Sequence, residues 1–531
     1  MLSIQNGEEI PVNIVGSSSF GRYEKISAER TFNAFISDDW LVGYSGYKKI
    51  AEVTGDVEGR GIFRSARVGF DLVVIGSGVY RLNPAFGTEL VGSIASQTGE
   101  VFMDENLNQQ ICIVDGEKAY IFAYTAAGVS LGVTPQTLSP SFSPGYVCYH
   151  NTYFLLASTV NATNPQLWYA ATRATDTTIT IASTDQFSLS TKPDSALAVK
   201  RLPGKGNNVI VFGAFVSEIW TQVGGLENYR RAQSVNIDSG VVAVETIAAN
   251  EEYVCWLAQN ESNAPSIMIT NGGSAERIST DGIDFLLQSI VEPQKSTAFF
   301  HRQDGHLFYQ LAFYGESDNV SLILDFNTKK FFHVTDERMN YYPARQAVYS
   351  NEATYFCSLN DGGIYQMSTS INEYNYVVGA LSGTGEEIPR IRVCKTVRQE
   401  DGSRFRIGRF FMWIEQGVDP YYQIDTGGEE ICDGLMITED GEPIVSEGGV
   451  RLQTEDGTCS VAQVRPCIDL TFSKNGNQSF SNAVRKYLNP IGRYSNILSW
   501  DRMGQANEFT VQIRFWGFSR FVAANATLEV F

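Results

Sequence analysis

The sequence predicts an all-β protein: a β-propeller of six or seven blades followed by a second β-rich C-terminal domain. Three observations carry that prediction. The 531 residues include 32 Phe, 25 Tyr and 48 Gly, and few segments repeat apolar residues at the 3.6-residue period of a helix. A hairpin unit returns between residues 70 and 370. Near residue 371 that rhythm stops, and strands with different punctuation follow.

The repeating unit is a run of four to six apolar-rich residues, a small turn and a second alternating run. It reads DLVVIGSGVYRLN at 71–83, ICIVDGEKAYIFAY at 111–124 and YVCYHNTYFLLAS at 146–158. It returns as NVIVFGAFVSEIW at 208–220, YVCWLAQNESNAPSIMIT at 253–270, AFFHRQDGHLFYQLAF at 298–313 and AVYSNEATYFCSL at 347–359. Turn marks at Gly76, Asp115, His150, Gly213, Asn260, Asp304 and Asn351 have a mean spacing of about 46 residues, the length of a four-stranded blade. One blade is explicit: strands at 297–302 and 306–313 meet at Asp304-Gly305, then SLILDF turns at Asn327-Thr328 into KKFFHV. Ring closure explains how so many short strands do without protected edges. A two-sheet sandwich of similar strands would need Greek-key crossovers and rarely reaches this length.

The expected boundaries are a propeller over 1–370, with an N-terminal strand contributing to closure, and a β-rich platform over 371–531. Strands of the platform include RIRVCK (390–395), RFRIGRFFMWIE (404–415), VRPCIDLTFS (464–473) and EFTVQIRFW (508–516). Between them, residues 425–456 hold ten acidic side chains and one basic, Arg451, which reads as a solvated insertion.

The net charge of −19 argues against a protein that grips nucleic acid over its whole surface, because phosphate binding needs clustered Lys and Arg. It is compatible with a surface along which DNA slides. No run approaches the roughly 18 apolar residues of a membrane span, so no membrane insertion is expected. The opening MLSIQNGEEIPVNIVGSS has no basic and apolar leader, so no secretory signal is expected. Eight scattered cysteines without a C-x-x-C pair fit half-buried thiols in a reducing compartment, not a zinc or redox centre.

The chemistry of an enzyme is hard to find. His150, His301, His306 and His333 lie in strands or turns without metal spacing, and His301 and His306 read as a surface pair flanking one hairpin. The G-x-S-x-G elbow, the phosphate loop and the EF-hand are all incomplete. No catalytic residue, metal or cofactor is expected. One enzymatic alternative stands: a sialidase-like or other glycan-acting propeller, as a hydrolase or a sugar-binding module. It rests on FSKNGNQSF at 472–480, which is similar to the Ser-x-Asp-x-Gly-x-Thr-Trp box of such glycosidases, and on a weaker cousin, SLNDGGIY, at 358–365. The first lies outside the repeat, and its asparagines are expected to shape a turn.

Charge pattern offers a sharper site. Residues 390–409 carry seven Lys or Arg against Glu400 and Asp401. Read as a hairpin turning at Asp401-Gly402, the segment would align Arg390 and Arg392 with Arg404 and Arg406. Together with Lys395 and Arg409 these are the candidate contacts to DNA in a lumen or to a neighbouring subunit.

Three stretches resemble one family. The first, ERTFNAFISDDWLVGYSGYKKIAEVTGDVEGRGIFRSARVGFDLVVIGSGVYRLN, carries an Arg-x-x-Asn strand and a Gly-Arg-Gly at 59–61. The second runs from Arg277-Ile278-Ser279-Thr280 through a short helix to Gly305-His306-x-Phe308-Tyr309. The third leads from the 473–480 turn through Gly492-x-Tyr494 to Trp500-Asp501-Arg502-x-Gly504-Gln505-Ala506. Together they are similar to the packaged-DNA stabilisation proteins of short-tailed bacteriophages, the tail hub or nozzle. That resemblance implies a structural virion protein, assembled in the host cytoplasm into a ring-shaped homohexamer of the tail. The ring would lie below the portal–adaptor complex, close the head, retain the genome and conduct double-stranded DNA at ejection. Its further partners would be tail needle, fibre or tailspike proteins. The acidic insertion matches nothing general to the family, and Asn475 and Asn477 stand where relatives favour Asp and Gly.

Overall fold

The computed structural model describes residues 8–20, 29–55, 57–83, 87–172, 177–225, 228–380, 382–399, 402–417, 431–432, 459–460, 466–489 and 495–531. Apart from Ile431 and Cys432, the acidic insertion lies outside the described residues, as do Gly492 and Tyr494. The chain forms two compact units, one of Tyr47–Thr369 with Ser18–Arg22, the other of Met1–Ser17, Tyr23–Gly46 and Ser370–Phe531.

The first unit is a propeller of seven blades. Blade 1 runs Gly59–Arg64, Asp71–Ile75, Gly78–Leu82, Thr88–Ser93, and the same meander recurs through blade 6, which runs Ser296–Gln303, His306–Phe313, Val320–Asp325, Lys330–His333. Blade 7 takes three strands from Ala344–Ser350, Ala353–Ser358 and Gly363–Ser368, and its fourth is Gly46–Glu52 from the other end of the unit. Lys49 on that strand ion-pairs with Asp361 at 2.8 Å, tying the closing strand to the blade it completes. Tight turns with φ > 0 at consecutive residues, Asn151-Thr152, Asp304-Gly305 and Asn351-Glu352, are the twist-matched hairpin turns.

Blades pack through apolar seams. Between blades 3 and 4, Trp168 meets Trp220 edge-on at 5.4 Å and Tyr229 at 5.3 Å, with Phe187 against all three rings. Between blades 5 and 6 lies an α-helix, Asp281–Gln288, capped by Thr280, whose hydroxyl accepts from the Ile283 amide. It buries Ile283 and Leu287 among the seam residues of both blades.

Among the described residues the second unit is built mainly on two sheets, with a separate two-stranded pairing of Ile431–Cys432 and Cys459–Ser460. The first is ordered Ala34–Ser37, Trp40–Gly43, Val522–Val530, Phe405–Ile414, Ile497–Ala506, with Glu8–Val12 also paired to Val522–Val530. The second sheet contributes Arg30–Phe32, Arg390–Val393, Glu508–Trp516, Cys467–Ser473 and Val484–Tyr487 in that order. Along Phe405–Ile414 the buried residues are Phe405, Ile407, Phe410, Met412 and Ile414, a period of two reset by a bulge between Ile407 and Arg409. Trp500 of the first sheet packs at a tilt against Phe410 and donates its indole N–H to the Val484 carbonyl of the second at 2.9 Å.

Two expectations change. Residues before 46, assigned above to the propeller, belong mostly to the second unit: Arg30–Phe32 pairs with Arg390–Val393 and Glu8–Val12 with Val522–Val530, so these strands complete sheets begun by the C-terminal half. The 390–409 hairpin does not form. Arg390–Val393 lies between Arg30–Phe32 and Glu508–Trp516, while Phe405–Ile414 lies between Ile497–Ala506 and Val522–Val530. Each strand is interior to a different sheet, where partners on both sides satisfy its backbone; a mutual hairpin would satisfy one side.

Candidate functional site

The basic segment divides by burial. Arg390 and Arg392 are 2% and 1% exposed. The Arg390 guanidinium donates to the Ser519 carbonyl (3.2 Å) and to Asn372 Oδ1 (3.0 Å) and lies over the Phe515 ring. Arg392 donates to the Ser17 and Asn13 carbonyls and to Thr31 Oγ1, all at 3.0 Å, and pairs with Glu29. Both are therefore parts of the core, and neither can reach DNA or a neighbour. The physical reason is register: two residues apart on an interior strand, they share its covered face. Lys395, Arg404 and Arg406 are exposed, as is Arg409, whose Nε donates to Asp501 at 2.8 Å. Those four are what remains of the expected contact site.

The propeller axis is the other place to look, because all seven innermost strands meet there. Its first strand carries Gly-Arg-Gly at 59–61. Arg60 is fully buried and donates to the carbonyls of Gly99 (2.7 Å), Gly76 (2.9 Å) and Ser96 (2.8 Å) and to Ser96 Oγ. Its neighbours must be glycine, since a Cβ on Gly59 would sit 2.7 Å from Cys357 Cβ and one on Gly61 2.7 Å from the Val101 carbonyl. The motif was visible in the sequence, but its role as a brace between the first two blades was not.

Across the axis, Arg345 grips Glu245 with two donors, at 2.8 and 3.3 Å, and both side chains are almost fully buried. Arg345 also approaches Glu58 at 3.4 Å, and the Tyr314 hydroxyl donates to Glu245 at 3.2 Å. Glu100 joins this cluster: burial first, then the charge of Glu245, pushes its carboxyl up to about 8. Beside this cluster, which plugs the axis, the inner strands line an open-mouthed cavity of about 260 Å³. A DNA duplex, whose major groove alone is about 12 Å wide, has no passage through one propeller.

A tyrosine, an arginine and two carboxylates are also ingredients of sugar hydrolysis. Here Glu245 spends its oxygens on Arg345 and Tyr314, so its carboxylate is engaged in holding the axis together. The glycosidase-like boxes are occupied as well. Asp361 of SLNDGGIY accepts from the Tyr365 hydroxyl (2.7 Å) and the Gly363 amide (3.2 Å) while holding Lys49. In FSKNGNQSF, Asn475 bridges its own loop, accepting from the Ser473 hydroxyl and the Ser479 amide and donating to Ser479 Oγ.

The histidines also differ from expectation. His301 and His306 are 5% and 7% exposed, not a surface pair, and burial pushes His301 down to about 3. His306 Nδ1 meets Asp325 at 3.0 Å, and His150 bridges the Tyr229 hydroxyl and the Gly206 carbonyl. Among the described residues no three His, Cys, Asp or Glu side chains are placed to hold a metal. The six described cysteines with placed side chains are free and buried, deeper than the half-burial expected.

Seven blades around a plugged axis, joined to a β-rich second unit, define a β-propeller whose best-formed polar clusters are structural. Residues 28–372 match the family model described as Bacteriophage P22 Gp10, beta-propeller, and the chain belongs to this phage stabilisation family. It is thus a structural virion protein of the kind that stabilises packaged DNA. No curated protein matches the chain. Among solved structures it is similar to virginiamycin B lyase from Staphylococcus aureus, at 12% identity over 61% of this chain and 99% of that one, TM-score 0.41. A streptogramin B lyase is similar at 11% identity over 62% and 99%, TM-score 0.42. The Neurospora crassa Pan2 WD40 domain is similar at 7% identity over 62% and 96%, TM-score 0.39.

Proposed function

We propose that the protein assembles into a ring, a homohexamer, that forms the tail hub or nozzle below the portal–adaptor complex. In this reading the ring closes the filled head, retains the genome and later conducts double-stranded DNA outward, with tail needle, fibre or tailspike proteins on its far side. The observation that carries it is the family match over residues 28–372. Two physical features support it. One propeller has no hole for a duplex, so a conduit has to run between copies. A chain with net charge −19 repels phosphate, which favours passage over capture. Lys395, Arg404, Arg406 and Arg409 are the exposed cations we assign to the lumen or to an adjacent subunit; closed rings need such repeated, non-self contacts.

Electron microscopy of the purified protein, alone and with an adaptor ring, tests the reading. Hexameric rings that stack on the adaptor are expected. A monomer that ignores the adaptor and cleaves chromogenic glycosides would overturn it. Changing Lys395, Arg404 and Arg406 together to Gln should impair ring assembly or genome retention while leaving the subunit folded. Normal particles with full DNA content would remove these residues from the contact.

A further inference from the structure

The axial cavity has a chemistry of its own. Its closed end is Glu245, already matched by Arg345. Its walls include Phe63, Phe102, Tyr146 and Phe299, and the rings of Phe102 and Tyr146 lie 4.4 Å apart between centroids. Toward the open end it is lined by Asp104, Lys200 and Arg201.

The acid and the two bases are not equivalent. Asp104 has both oxygens engaged by the backbone, Oδ1 by the Glu105 amide at 2.9 Å and Oδ2 by the Tyr149 amide at 2.7 Å. Lys200 is half-buried; its Nζ donates to the Tyr146 hydroxyl at 3.3 Å and lies over that ring at 5.8 Å from its centre. Arg201 stands at the exposed rim. Two cations therefore face one carboxylate, whose oxygens also accept from two amides, in a half-open space with aromatic and polar walls. A charge in such surroundings is stabilised by a matching counter-ion with hydrogen bonds, and Lys and Arg are the usual grips for carboxylate and phosphate. The volume here, about 260 Å³, lies just below the roughly 300–1,000 Å³ of typical ligand cavities, so it has room for one small molecule at most and excludes a chain of residues.

We propose that the axial cavity of the propeller binds a small organic anion, a carboxylate or phosphate head on a flat apolar body. Lys200 and Arg201 hold the head, and Phe102 and Phe299 cover the body. The site is independent of the ring and of the exposed cations of the second unit.

Calorimetric titration of the full-length protein with benzoate and with phenyl phosphate tests this, with benzyl alcohol as the uncharged counterpart. Saturable binding of at least one anion, and none of the alcohol, is expected; which anion binds tighter identifies the head group. Lys200→Met with Arg201→Gln should weaken binding at least about tenfold at an unchanged melting temperature. If the double variant melts early, Arg201→Gln alone, at the exposed rim, should still weaken binding. The proposal fails if neither anion saturates, if benzyl alcohol binds equally well, or if the folded variants keep full affinity.

Discussion

In the propeller, Arg345 sits at 2% exposure against the carboxylate of Glu245; in the second unit, Arg390 sits at the same 2% against a carbonyl and an amide oxygen. Burial alone pushes either guanidinium down. The charge of Glu245 reverses that for Arg345, which ends above its ordinary value, whereas Arg390 has no carboxylate and is lowered to about 10. At Arg345 the fold neutralises a buried charge, and at Arg390 it only solvates one. The neutralised pair is the tighter lock and also the more dangerous to break, because removing either partner strands the other.

The largest expected effect follows from that asymmetry. Glu245→Ala leaves Arg345 buried without its main counter-ion and should cost about 3–5 kcal/mol of stability, read from chemical denaturation. Glu245→Leu combined with Arg345→Met should recover most of the loss, since the desolvation penalty vanishes with both charges. If the double change is as damaging as the single one, the pair is not what holds the axis. Arg390→Met should cost less, about 1–2 kcal/mol, the worth of the hydrogen bonds it makes. Equal losses at Arg345 and Arg390 would dissolve the distinction between neutralised and solvated arginines.

Glu100 sharpens the same point through pH. In the folded chain its carboxyl, facing Glu245, Arg345 and the nearby Glu58, keeps its proton to about 8, whereas unfolded it titrates near 4.5. Across that window unfolding releases a proton, so stability falls as pH rises from about 4.5 to about 8 and then levels off. Gln has no proton to lose. The melting temperature of Glu100→Gln relative to the unaltered protein should therefore climb through the window and stay flat below it. A difference that does not vary with pH would mean that Glu100 is ionised at the axis.

The two units also differ in how much of them the sequence displays. Each blade announces itself with one hairpin, and seven turn marks correspond to seven blades. The uneven spacing has a structural cause: Gly76, Asp115, Gly213 and Asn260 mark turns between second and third strands, whereas His150, Asp304 and Asn351 mark turns between first and second. In the second unit, alternation finds the strands but not their partners. Arg390–Val393 and Phe405–Ile414 are close in sequence and belong to different sheets, so positive charges that neighbour one another along the chain share no face in the fold. The axial cluster was hidden for the opposite reason: Arg60, Glu100, Glu245 and Arg345 are far apart in the chain and share no pattern until the ring closes.

The smallest effect concerns the turn at 473–480, which resembles a glycosidase box and acts as a hairpin brace. Asn475 exchanges three hydrogen bonds with Ser473 and Ser479, and the Ser473 hydroxyl accepts from the Asn477 amide at 3.1 Å. Asn475→Ala should therefore cost about 1 kcal/mol, whatever ligand is present. Asn477 is left-handed, with φ of 62°, a conformation in which glycine bears no Cβ penalty, so Asn477→Gly should be neutral to within about 0.5 kcal/mol. If Asn477→Gly instead altered sugar binding while stability held, the turn would be a recognition loop and the propeller's polar clusters would no longer be the better-organised region of the molecule.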